Sequence, residues 1–144
     1  MVKILVREYW LVILSRLQSS QSFTCDSMFN LARLYTLKKQ WFACVRILEL
    51  CLQISSQNEY VYFNALGFCY YNMGYYDLAK NYYMNAVDGK NNYTLALNNL
   101  AKVYITTENY DKALEIYKLI LKYNPDCKRA KKNLKNLKNR DSRI

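Results

Sequence analysis

The sequence predicts an all-α solenoid of three helix–turn–helix repeats with a helical cap at each end. Three observations lead there. The same residue pattern recurs with a period of 34 to 35 residues through most of the 144-residue chain. Within each unit the apolar residues fall three and four apart, the spacing of one helix face. Finally, 3 Gly and 1 Pro leave almost none of the punctuation that hairpins and tight loops require.

The repeat is explicit. Phe63-x-x-Leu66-Gly67-x-x-Tyr70 aligns with Leu97-x-x-Leu100-Ala101-x-x-Tyr104 at an offset of 34. The same offset joins Tyr76-Asp77 to Tyr110-Asp111, Ala79 to Ala113 and Tyr83 to Tyr117. At an offset of 35, Leu31-Ala32-x-x-Tyr35 falls on Leu66-Gly67-x-x-Tyr70, and Trp41 on Tyr76. The units are residues 25–59, 60–93 and 94–127, each with a first helix (25–38, 60–73, 94–107) and a second. Gly74 stands where a left-handed residue would end a first helix. Lys39 and Glu108 occupy the matching places, so those turns are expected without glycine. Ala32, Gly67 and Ala101 are small where two helices must approach closely.

The two ends differ from the repeats. In residues 1–24, Val2, Val6, Tyr9, Ile13 and Leu17 share one helical face. The longest uncharged apolar run there, Tyr9 to Leu14, is far below the roughly 20 residues of a membrane span. A helix capping the first repeat is expected, with peripheral membrane contact as the alternative. Residues 128–144 carry eight basic residues and one Asp around a thin stripe of Ala130, Leu134 and Leu137. That pattern fits a basic C-terminal capping helix and tail. It also localises the formal charge of +10: the tail holds +7 and the preceding 127 residues only +3.

Composition excludes several chemistries. There is no His, hence no imidazole base, no His-containing triad and no imidazole zinc ligand. The five cysteines, at 25, 44, 51, 69 and 127, form no C-x-x-C pair. They read as reduced residues in a reducing compartment, with Cys44 and Cys51 as small hydrophobes. Three glycines cannot make a phosphate loop, and no carboxylates are paired for acid/base work. The sequence therefore predicts a non-catalytic protein with no cofactor and no metal.

The pattern of large residue, Leu, small residue and Tyr, then Ala, an aromatic and Pro125, resembles the tetratricopeptide repeat (TPR) over residues 25–127. The second and third units match more strongly than the first, where Cys44, Leu48 and Ser56 depart from the pattern. The resemblance implies a right-handed superhelix whose first helices line a concave, partner-binding groove. Its expected lining is Phe29, Arg33 and Thr36, then Val61, Asn64, Phe68 and Tyr71, then Leu95, Asn98 and Lys102. Arg129 and Lys132 would extend the line into the cap. The equivalent amides of Asn64 and Asn98 are expected to bracket an extended peptide. TPR co-chaperones that clamp the C-terminal carboxylate of Hsp70 or Hsp90 use basic residues and asparagines at five places. Those places hold Phe29, Arg33, Ala65, Leu95 and Asn99 here, so no such clamp is expected.

A narrower resemblance lies in Leu14-Ser15-Arg16-Leu17-Gln18, Tyr60 to Tyr70, Tyr76-Asp77-Leu78-Ala79 and Ala96 to Ala101. These stretches look like a small TPR family of cyanobacteria and red-algal plastids. That family is implicated in photosystem I assembly or stability at the thylakoid membrane. The abundance of Asn (15), Lys (14) and Tyr (15), residues of A/T-rich codons, agrees with a plastid genome. The expectation is a scaffold or assembly factor on the stromal side of the plastid, free or thylakoid-associated, with a photosystem subunit or assembly factor as protein partner. The alternatives are a general TPR adaptor and an organellar RNA-binding factor that uses the basic C-terminal helix. Nucleic acid is disfavoured, since most Tyr sit at repeat-core positions.

Overall fold

In a computed structural model, residues 24–141 are described. They form seven α-helices and no strand: α1 (Cys25–Leu37), α2 (Trp41–Ile54), α3 (Glu59–Asn72), α4 (Tyr76–Gly89), α5 (Thr94–Thr106), α6 (Tyr110–Tyr123) and α7 (Lys128–Asp141). Each helix packs on the next in the chain, and α3 also touches α5. This nearest-neighbour stacking is what a solenoid requires, because no single helix pair can bury its own apolar face. The expected cap in residues 1–24 lies outside the described residues except for Thr24.

Thr24 starts α1 as its N-cap, its hydroxyl accepting from the Ser27 N–H at 3.3 Å. Inside every repeat the turn is the same. Lys39, Gly74 and Glu108 all adopt positive φ, at 56°, 83° and 58°. The next residue's N–H then reaches back five residues, to the carbonyl of Tyr35, Tyr70 or Tyr104, at 2.9, 2.9 and 2.7 Å. The turn thus satisfies carbonyls left open at the helix end. Lys39 and Glu108 do make it without glycine, at the steric cost of a Cβ in left-handed backbone.

The interior is one run of small and large residues in alternation. Ala32, Cys44, Leu48, Cys51, Leu66 and Cys69 are buried in the first half of the stack. Ala79, Tyr83, Leu100 and Val103 follow, then Leu97, Ala101, Tyr117, Ile120 and Ala130. Gly67 sits under Tyr83, where a Cβ would lie 2.7 Å from two ring carbons. At the far end α7 presents Ala130, Leu134 and Leu137 to this core, and Asn133 Nδ2 donates to the Tyr117 hydroxyl at 3.0 Å. The remaining α7 surface is polar and exposed. Among the described residues, no helix is long and apolar enough to cross a membrane.

Candidate functional site

Because α1, α3 and α5 are the first helices of successive repeats, they lie side by side along one face. Between them opens a cleft of about 250 Å³. That volume suits one or two side chains of a polypeptide better than an enclosed small molecule. Phe29, Arg33 and Thr36 line it from α1, Asn64, Ala65 and Phe68 from α3, and Leu95 and Asn99 from α5. Ala32 and Cys44 form its floor.

Two aromatic residues flank the cleft and both are held in place. Phe29 meets the edge of Tyr62 at 5.6 Å between ring centres, and Phe68 meets Trp41 at 6.0 Å. Phe68 nevertheless stays 42% exposed, so its ring is available to a partner. The same cleft holds a polar bridge: Asn99 Nδ2 donates to Asn64 Oδ1 at 3.0 Å across the α3–α5 seam. The bond uses one donor and one acceptor of the two amides and holds the pair in a fixed orientation. Arg33 supplies the cleft's positive charge.

Behind the floor, Cys69 Sγ lies 3.1 Å from Cys44 Sγ and donates to it. That bond, then burial, raises the Cys69 thiol well above its ordinary range. Cys51 is pushed up to about 11, first by burial. Cys69 and Cys51 are protonated packing residues at neutral pH. No cluster of three metal-ligating side chains occurs among the described residues.

The expected groove residues divide. Phe29, Arg33, Thr36, Asn64, Phe68 and Leu95 converge on the cleft. Asn98 does not join them: it is buried, with Nδ2 donating to the carbonyl of Thr94 at 2.8 Å, inside its own helix. Its Oδ1 is buried without a partner. The amide that meets Asn64 is thus Asn99, and the bracket expected of Asn64 and Asn98 is corrected accordingly. A shift of one residue along α5 turns a side chain by about 100°. Tyr71 and Lys102 form a separate group toward the helix C-termini. The Lys102 ammonium lies 4.5 Å above the Tyr71 ring, and the Tyr71 and Thr106 hydroxyls are 2.8 Å apart. Val61 is half-buried outside the cleft, while Arg129 and Lys132 are exposed on α7. The sequence pointed to Ala65 and Asn99 only as places where a carboxylate clamp would sit. All five of those places line the cleft, with Arg33 and Asn99 the polar ones.

Stacked helix pairs with a cleft across their first helices are the architecture of a tetratricopeptide-repeat protein, wound as a right-handed superhelix. The tetratricopeptide-repeat family model matches residues 70–137. Solved structures agree on the fold. The first TPR of Spaghetti (RPAP3), bound to the HSP90 peptide SRMEEVD, superposes with a TM-score of 0.74 at 13% identity, covering 85% of this chain and 99% of that one. The Yersinia enterocolitica type III secretion chaperone SycD, in complex with a peptide of the translocator YopD, gives 0.75 at 16% identity, covering 84% and 97%.

Among curated proteins, the chain is similar to ycf37 of Porphyra purpurea, 48% identical over 59 residues, 41% of this chain and 34% of that protein. It is also similar to ycf37 of Guillardia theta, 41% identical over 85 residues, 57% of this chain and 48% of that protein. The matches thus span about a third to a half of the length of these relatives. The chain thus has the TPR fold and resembles TPR proteins in sequence over residues 70–137.

Proposed function

We propose that this protein holds a segment of a photosystem I subunit, or of one of its assembly partners, in the α1–α3–α5 cleft on the stromal side of a plastid, without catalysis. The observation that carries the binding role is the Asn64–Asn99 bridge in one cleft with the exposed ring of Phe68 and the ring of Phe29. The aromatic faces lose water on contact with an apolar side chain. The fixed amides and Arg33 give the bound backbone a register. The plastid assignment is supported by the similarity to ycf37 and by the excess of Asn, Lys and Tyr. Peptide-bound TPR structures of the same fold support a cleft that takes a polypeptide segment rather than a metabolite.

The test is affinity capture from solubilised plastid membranes, with nuclease and salt steps before elution. Photosystem I polypeptides should remain on the wild-type protein through both steps. The double variant Phe68→Ala, Asn99→Ala should capture several-fold less while keeping its helical signal. Failure to retain any photosystem I polypeptide, or release of the partners by nuclease, would overturn the proposal.

A further inference from the structure

The first helix of each repeat has an outer face that the second helix of the preceding repeat covers. In α3 that face carries Leu66 and Cys69, both 0% exposed. The cover is α2, whose Cys44 sulfur lies 3.1 Å from that of Cys69. In α5 the equivalent residues are Leu100 and Val103, 4% and 1% exposed, which cluster with Ala79 and Tyr83 of α4. In α1 the equivalent residues are Leu31 and Leu34. Among the described residues no helix precedes α1, and they are 36% and 56% exposed. A surface position free of packing demands has no reason to keep the apolar character of its buried counterparts, yet both positions hold leucine.

The chain itself offers an occupant. Subtracting one repeat of 34 or 35 residues from Cys44 and Leu48 gives positions 9–10 and 13–14. Those positions hold Tyr9, Trp10, Ile13 and Leu14, the ends of the longest uncharged apolar run in residues 1–24. The same subtraction carries the span of α2 to residues 6–20, leaving a connection to α1 as short as the one between α2 and α3. The apolar stripe through Val6, Tyr9, Ile13 and Leu17 has the 3.6-residue period such a cover needs.

We propose that the Leu31–Leu34 face of α1 is the docking site of residues 6–20 of this same chain, which seat on it as α2 seats on α3. The N-terminal segment then covers α1 in the way the second helix of one repeat covers the first helix of the next. Its apolar stripe is thereby committed to the protein core and not to a lipid surface or a second copy.

The chain has two tryptophans, Trp10 and Trp41, so Trp41→Phe leaves Trp10 as the single reporter in the docked segment. In the otherwise intact chain, Trp10 emission should be blue-shifted and protected from acrylamide. Both properties should be independent of protein concentration and of added vesicles of anionic lipid. Adding Leu31→Asp or Leu34→Asp should expose Trp10 and raise its quenching several-fold, with the helical signal of the repeats retained. The urea midpoint should fall for both, which charges on a bare, half-exposed surface would not cause. Four results would each overturn the proposal: Trp10 quenched as readily as free tryptophan in the folded chain; protection lost on dilution, which assigns the face to a second copy; protection gained only with vesicles; and protection indifferent to both aspartates.

Discussion

Gly67 and Tyr83 touch so closely that a Cβ on residue 67 would sit 2.7 Å from Cδ1 and Cε1 of the ring. Tyr83 is almost fully buried between α4 and its neighbours, so the ring has nowhere to retreat. Gly67→Ala gains about 1 kcal/mol of helix propensity but overpacks a filled site at about 1–3 kcal/mol. A net loss of about 1 kcal/mol is expected in urea unfolding. Combining it with Tyr83→Leu, which copies the Ala32 and Leu48 of the first repeat, should recover part of that loss.

The three intra-repeat turns share one backbone conformation but not one residue type, which makes them a matched series. Lys39→Gly and Glu108→Gly should each stabilise by about 1 kcal/mol, because glycine removes the Cβ penalty at positive φ. Gly74→Ala should cost about 1–2 kcal/mol for the same reason. Thermal midpoints of the three variants moving in the same direction would contradict this account of the turns.

Stability should decline at alkaline pH. Burial is the leading cause that raises Cys51 to about 11 from an ordinary 9.0, and it also raises Tyr62, Tyr70, Tyr83, Tyr93 and Tyr117. Below pH 9 these groups are protonated whether the chain is folded or not, and their contribution is fully present. Above it the unfolded chain releases protons that the folded chain retains, so stability falls as pH rises from 9 through 11. A thermal midpoint that is flat over that window would refute the assignment. At neutral pH the buried Cys44, Cys51 and Cys69 should resist alkylation until the protein is denatured.

The C-terminal helix separates packing from charge. Ala130→Asp places a carboxylate at a fully buried position beside Ile120 and should cost about 3 kcal/mol or more. Lys132→Glu on the exposed side should change stability by less than about 0.5 kcal/mol. If both variants melted alike, the packing of α7 on α6 would not be what holds the last repeat closed.

Much of this was legible in one dimension. A 34-to-35-residue period with residues three and four apart determines helix pairs, since only one helical face can supply the buried surface. It also marks the turns, because a left-handed residue must follow each first helix whether or not glycine is there. The basic tail showed its role by its thin stripe of Ala130, Leu134 and Leu137, which a solvated helix would not need.

What only tertiary structure decided is which of two adjacent amides reaches the cleft. Asn64 and Asn98 are equivalent at 34 residues, but the seam between α3 and α5 pairs residues 35 apart, so Asn99 bonds Asn64 and Asn98 turns to its own backbone. Repeat arithmetic specifies which residues play the same part within a unit. The relative placement of stacked units decides which side chains meet, and that depends on how large residues such as Tyr83 settle against small ones such as Gly67.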